Sequence, residues 1–225
     1  MPRLLAIGDI HGCFAALQTL EEIVPFRPDD LIVTLGDYVD RGPQSREVLD
    51  WVIARHAAGQ VIPLRGNHEV MMLEAREGED MLDEWLQVGG RKTLDSYVAA
   101  GTTGQLTDVP ASHWQFLEFQ TRRYLETATH FFVHAGVIPD LPLEEQPDEY
   151  LFWERFFDAS PHESGKIMVC GHTPQTSYRP SDIGYAVCID TWIYKGGWLT
   201  CLDPQTGEYW QANQQRQSKH DWLGS

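Results

Sequence analysis

The 225-residue sequence has no long apolar run: nothing approaches the roughly 18 consecutive apolar residues of a membrane-spanning helix. The apolar residues 4–7 stop at Gly8 and Asp9, too short a stretch for the core of a signal peptide. Positive charge is scarce. Seventeen Lys and Arg face 33 Asp and Glu, a formal net charge of −16, which disfavours a nucleic-acid backbone because phosphate neutralisation dominates such binding. A small anion held in a local positive pocket stays compatible with this charge, most of which reads as solubility. The four cysteines (Cys13, Cys170, Cys188, Cys201) form no C-x-x-C pair and no zinc spacing, so they read as reduced thiols of a cytoplasmic protein. Also missing are G-x-x-x-x-G-K-[ST], G-x-G-x-x-G, G-x-S-x-G and a C-x5-R loop. Nucleotide-cofactor folds and a serine or cysteine nucleophile therefore have no support.

What is present is an ordinary globular composition, 42% hydrophobic and 22% charged. No linker rich in Gly, Ser or Pro divides the chain, so the expectation is one domain over residues 1–212 and a loosely held Gln-rich tail over 213–225. Residues 3–9, 31–36 and 61–64 read as strands, with helical patterns at 13–24 and 46–58 between them, suggesting βαβ units and a largely parallel α/β sheet. Residues 68–120 read as mainly helical. Strands resume near 124–127, 131–133 and 167–170, and a hairpin is expected at 198–210.

Ligand sites of parallel α/β sheets form at the C-terminal ends of the strands. Here the strand exits carry Gly8-Asp9-Ile10-His11-Gly12, then Gly36-Asp37-Tyr38-Val39-Asp40-Arg41-Gly42, then Arg65-Gly66-Asn67-His68-Glu69, then His134-Ala135-Gly136 and Gly171-His172-Thr173. Any one cluster could be a turn. Turn chemistry does not, however, call for a histidine at four of five exits in a chain with nine. A dinuclear metal site accounts for the residue types. Asp9 and His11, two apart, would leave an extended segment on one side; Asp37 could bridge two cations; Asn67, His134 and His172 would complete the second ion. Mixed oxygen and nitrogen donors without thiolate suit Mn²⁺ first, or Fe, Zn²⁺ or Co²⁺.

The blocks GDIHG, GDYVDRG and RGNHE, followed by HAG and GHT, resemble the phosphoprotein phosphatase branch of the calcineurin-like metallophosphoesterases. Within it, residues 85–97 (WLQVGGRKTLDSY) and the ending GGWLTCLD are most similar to small bacterial and phage serine/threonine phosphatases, while symmetrical dinucleoside tetraphosphate hydrolases share the same blocks. The resemblance implies a central β-sandwich flanked by helices with the site at its loop edge. It also implies two divalent metal ions, Asp9, His11 and Asp37 on one, and Asp37, Asn67, His134 and His172 on the other.

Two such ions would activate water for in-line attack on a phosphate ester. His68, taken to point away from the ion of Asn67, is the candidate general acid, with Asp40 fixing its tautomer. Arg41, Arg65 and Asn67 are candidates for binding the substrate phosphate, since guanidinium forks match its oxygens, and the resemblance implies Arg155 as a further arginine there; Arg65 could instead buttress its loop, Arg155 be a surface residue, and Asp40 and Arg41 form an ordinary loop ion pair. The expected substrate is a phosphorylated protein or peptide, with small phosphate esters accepted in vitro and no membrane or nucleic-acid partner. The competing readings are a dinucleoside polyphosphate or RNA-cap hydrolase and, from another class, an inactive phosphate-binding scaffold. Weaker signals are Cys13, a core residue or a redox-active thiol, and the acidic stretch 141–154, a solvated loop or a charged rim over the site. His56, His113, His130, His162 and His220 read as structural or surface residues.

Overall fold

The computed structural model describes residues 3–224. Two sheets face each other. In the first, β1 (Leu4–Ile7), β2 (Leu31–Thr34) and β3 (Val61–Pro63) are parallel. In the second, β4 (Tyr124–Glu126) flanks the parallel strands β5 (His130–Val133), β6 (Ile167–Cys170) and β8 (Ala186–Cys188), and β7 (Ser181–Asp182) closes the far edge. The first sheet continues antiparallel from β1 through β10 (Trp198–Asp203), β11 (Glu208–Ala212) and β12 (Ser218–Trp222), with the two-residue β9 (Asp190–Thr191) on β10.

The two-residue period of a strand sorts the core into layers. Ala6, Val33, Leu35 and Leu64 face Phe132, Val169, Val187 and Ile189 between the sheets. Leu5, Ile7, Val61 and Cys201 point the other way, against α1 (Phe14–Ile23) and α2 (Ser45–Ala57). Those helices present Ala16, Leu17 and Leu20, and Val48, Leu49 and Val52, at the spacing of one helical face. On the outer face of the second sheet, Phe131, Met168 and Cys188 meet Leu143, Leu151 and Phe152. Between the sheets' parallel halves the chain forms α3 (Asn67–Glu74), α4 (Glu79–Trp85), a π-turn at Leu86–Gly90, α5 (Arg91–Asp95) and α6 (Ala111–Phe119). The short α7 (Asp148–Trp153) follows β5.

The result is a sandwich of two mixed sheets flanked by helices, in place of the mainly parallel sheet read from periodicity. The tail expected at 213–225 is corrected too: residues 218–222 are strand β12, paired along β11. Its polar composition hid it. Lys219 stacks its ammonium 3.9 Å from the Trp198 ring and His220 lies flat on Trp210 at 5.4 Å, so polar residues still find aromatic cross-strand partners. Among the described residues no helix is long and apolar enough to cross a membrane.

Candidate metal centre

Six parallel strands, three from each sheet, direct their C-terminal ends to one edge. From β1 come Asp9 and His11; from β2, Asp37 and Asp40; from β3, Asn67 and His68. From β5, β6 and β8 come His134, His172 and Asp190. The backbone there is unusual. Of the eight non-glycine residues with positive φ among those described, five are His11 (46°), Asp37 (52°), Asp40 (71°), Arg41 (68°) and His172 (62°). Such strain persists only where the surroundings enforce it. Two glycines permit the close approach: a Cβ on Gly66 would fall on Asp37 Oδ1, and one on Gly171 on Asp9 Oδ1.

Asp37 is the common point. His11 Nε2 lies 3.3 Å and His68 Nε2 3.9 Å from its Oδ2, and His134 Nε2 lies 3.5 Å from Oδ1. Two three-residue groups close enough to hold an ion share it: His11, Asp37 and His68, and Asp9, Asp37 and His134. Asn67 Oδ1 stands 3.0 Å from His134 Nε2 and 3.1 Å from His172 Nδ1.

The protonation pattern tests whether cations fit. His11 Nδ1 is 2.9 Å from the Val39 carbonyl, His134 Nδ1 2.9 Å from that of Leu35, and His172 Nε2 3.2 Å from that of Trp153. Each ring therefore spends its one N–H on a carbonyl. Burial pushes all three imidazoles toward the neutral form, His172 down to about 3. Their other nitrogens then face Asp37 and Asn67 oxygens, lone pair to lone pair, with no proton between. Cations resolve that conflict. Asp9 is pushed well above the usual carboxylate range by burial, Asp190 and Asp37, and burial raises Asp190 to about 7. A buried cluster of carboxylates short of positive charge and the oxygen–nitrogen donor set both suit divalent ions.

Two local expectations need correction. Asn67 and His68 open helix α3 instead of continuing a strand, and His68 Nε2 lies on the Asp37 Oδ2 side with His11, apart from the contacts of Asn67 with His134 and His172. His11 has a left-handed φ, so Asp9 and His11 converge through a turn and not from an extended segment.

Around this centre lies a cavity of about 340 Å³ bounded by Arg41, His68, Met71, Trp153, Arg155 and Tyr194, among others. Arg41 stacks 4.2 Å above the Tyr194 ring, with Nη1 3.4 Å from His11 Nε2; no ion pair joins it to Asp40 among the described residues. Arg155 is exposed on the cavity wall. Arg65 does not reach it. Its guanidinium donates to the Leu117 and Glu118 carbonyls at 2.7 and 2.8 Å and to Thr121 Oγ1 at 2.9 Å, because the carbonyls at the C-terminal end of α6 attract a cation. The acidic stretch does not form a rim: Glu144, Glu145, Asp148 and Glu149 are exposed and outside the cavity lining, and only Trp153 and Arg155 beyond them reach it. Cys13 is a core residue, its thiol pushed up to about 12 by burial.

His68 Nδ1 donates to Asp40 Oδ2 at 2.6 Å. Burial pulls the imidazole pKa down, but Asp37 and the bond to Asp40 outweigh it and the net shift is upward. Asp40 is itself held by residues that reading along the chain did not single out. Trp85 Nε1 donates to Oδ2 at 2.8 Å and Thr93 Oγ1 to Oδ1 at 2.7 Å. Glu69 was equally unassigned: its carboxylate accepts the backbone N–H groups of Asp37, Tyr38, Val39 and Gly66 at 2.7–3.3 Å, tying the loops after β2 and β3 together. Trp85 and Thr93 lie in the WLQVGGRKT block, a signal present in the sequence whose meaning required the fold. Asp190 and Tyr194 had no such signal.

Buried carboxylates and neutral imidazoles converging on one aspartate, beside two guanidinium groups at the edge of a double sheet, define a candidate divalent-metal centre with an anion-binding rim. The calcineurin-like phosphoesterase family matches residues 2–199, and the chain belongs to that family. It is 40% identical over 211 residues to serine/threonine-protein phosphatase 1 of Salmonella typhimurium, covering 86% of this chain and 88% of the relative. It is also 40% identical over 138 residues to the symmetrical bis(5'-nucleosyl)-tetraphosphatase of Chromobacterium violaceum, covering 61% of this chain and 44% of that one. The chain thus spans less than half the length of the tetraphosphatases it matches. A cold-active protein-tyrosine phosphatase of a psychrophilic Shewanella species shares the fold, with TM-score 0.62 and 19% identity over 98% of this chain and 80% of that one.

Proposed function

We propose that this metallophosphoesterase is a phosphomonoesterase acting on phosphoserine and phosphothreonine in proteins or peptides. The observation that carries the reading is the charge count of the cavity: Arg41 and Arg155 are the two cationic side chains among its lining residues, beside the donor-competent His68. Two guanidinium groups match one phosphoryl dianion and leave nothing for the remaining charges of a tetraphosphate. The phosphatase of Salmonella also aligns with more of this chain than the tetraphosphatase does.

In this reading Asp9, His11, Asp37, Asn67, His134 and His172 hold two divalent ions, Mn²⁺ foremost. The ions, when bound, supply Lewis-acid stabilisation and activate water. Arg41 and Arg155 orient the phosphoryl oxygens, and Tyr194 holds the Arg41 guanidinium over its ring. His68 gives the Nε2 proton to the departing alkoxide, with Asp40 holding Nδ1–H and so fixing which nitrogen faces the substrate. The second reading is symmetrical dinucleoside tetraphosphate hydrolysis, favoured by the 40% identity to the Chromobacterium enzyme. Turnover of a phosphoserine peptide against diadenosine tetraphosphate, on Mn²⁺-loaded protein, separates the two. A kcat/KM at least about tenfold higher on the peptide is expected, and the reverse ranking overturns the proposal.

A further inference from the structure

A second cavity, of about 180 Å³, lies on the other side of the Arg41–Tyr194 pair. These two residues line both cavities and form the wall between them. Its remaining lining is neutral: Gly42, Gly196 and Gly197 with Pro43, Cys13 and Ile193, and the polar Gln214 and Gln215. The glycines are structurally required there, since a Cβ on Gly42 would fall on the His11 carbonyl and one on Gly197 on the Thr191 carbonyl. Bare backbone therefore forms much of the wall.

The amide of the exposed Gln215 has no hydrogen-bond partner among the described residues. Gln214 uses its Oε1 on the Ala16 N–H at 3.3 Å, leaving its amide nitrogen without one.

The geometry points to a subsite for the residue that adjoins the phosphorylated one in a substrate peptide. This inference rests on the protein-phosphatase reading above and names what that reading leaves open, how flanking sequence is read. Because Arg41 and Tyr194 line both cavities, an occupant of the second sits beside the phosphate position. The lining suits a peptide unit: unpaired side-chain amides can bond its N–H and C=O, and bare glycine backbone lets it lie close. It does not suit the other half of a dinucleoside polyphosphate. The volume falls below the roughly 300–1,000 Å³ of pockets that enclose larger ligands, Arg41 is the sole cation, and the Tyr194 face that a base would stack on is covered by the Arg41 guanidinium. At about 180 Å³ the cavity has room for one side chain, and a small flank fills it with the least displacement of its walls.

The test uses the full, Mn²⁺-loaded chain with phosphoserine peptides varied to Gly, Ala or Trp at either neighbouring position, and p-nitrophenyl phosphate as a substrate with no flank. Peptides with Trp at one of the two positions should lose about tenfold in kcat/KM, the scale on which a pocket discriminates by a few carbons. Gln215→Trp, which fills the cavity from an exposed position, should lower kcat/KM on the Gly-flanked peptide about tenfold and leave p-nitrophenyl phosphate within about twofold. Gln215→Ala should keep the preference for small flanks.

Equal losses on peptide and p-nitrophenyl phosphate, or peptide turnover indifferent both to flank size and to Gln215→Trp, overturn the subsite while the phosphatase reading stands. Wild-type protein that hydrolyses diadenosine tetraphosphate but no phosphopeptide overturns both.

Discussion

His68 gives the sharpest test of the chemistry. If it protonates the departing oxygen, its removal must hurt most where the leaving group needs a proton. A positioned general acid contributes roughly 10²–10⁴-fold, or about 2.7–5.5 kcal/mol at about 1.36 kcal/mol per tenfold. His68→Asn should therefore lower kcat on a phosphoserine peptide by about that factor, since a serine alkoxide leaves poorly unprotonated. On p-nitrophenyl phosphate, whose phenolate departs as a stable anion, the loss should stay below about tenfold. Metal content by elemental analysis should not change. Equal losses on both substrates remove His68 from the role, and a drop in bound metal makes it a ligand instead.

The hydrogen bond at 2.6 Å to Asp40 adds a second, independent readout. A general acid works protonated, so kcat falls as pH rises through its pKa. Asp37 and Asp40 together lift that pKa against the effect of burial. Asp40→Asn removes one of the two, so the alkaline limb of the profile should move to lower pH. Trp85→Phe removes the indole N–H that bonds Asp40 Oδ2 at 2.8 Å; the carboxylate then holds the imidazolium more strongly, and the limb should move to higher pH. Shifts in the same direction for both variants refute the coupling.

Four further outcomes follow from the geometry. Chelation should abolish turnover, and Mn²⁺ should restore it. Ions at about 100 times Kd stabilise by about 2.7 kcal/mol, so calorimetry should show Tm about 5–10 °C lower without them; an unchanged Tm contradicts a centre built around uncompensated carboxylates. Asp9→Asn and His172→Ala should each lower bound metal by elemental analysis while the far-UV circular dichroism is kept, whereas full metal content in both would exclude them as ligands. Glu69→Ala leaves four backbone N–H groups without their acceptor and should cost at least about 3 kcal/mol in urea unfolding, with Glu69→Gln, which keeps one carbonyl oxygen, costing less. Arg41→Lys loses both the planar fork and the stacking on Tyr194 and should raise KM on phosphopeptide about tenfold or more; an unchanged KM would take Arg41 out of phosphate binding.

The centre was legible at the strand exits because its chemistry is written locally. Glycine beside aspartate and histidine, repeated at each exit, needs no knowledge of the fold to be noticed, and the parallel strands before it predict that such exits meet. The layer that positions those residues is not local. Trp85 and Thr93 bond Asp40 across 45 and 53 residues, and Glu69 reaches Asp37 across 32. A tryptophan or threonine in a helical stretch gives no sign of a distant buried carboxylate. Arg65 shows the converse: adjacency to Asn67 left phosphate binding and a buttress of the loop both open, and the carbonyls at the end of α6, which only the fold brings within reach, decide for the buttress.

Backbone conformation was the other hidden variable. Periodicity assumes that residues leaving a strand stay extended, and on that assumption Asp9 with His11, and Asn67 with His68, take fixed sides. The left-handed φ of His11 and the start of α3 at Asn67 break it at both places. The residues named from the strand exits still converge, while the backbone at His11 and Asn67 is not extended. The reason is physical: a ligand set is fixed by which atoms can donate, whereas direction is fixed by strain that the surrounding core imposes. The same holds at the second cavity. Gly42 is confined by the His11 carbonyl of another loop and Gly197 by the Thr191 carbonyl of its own. A surface for recognising what flanks the phosphate arises from packing constraints, so it carries no motif of its own.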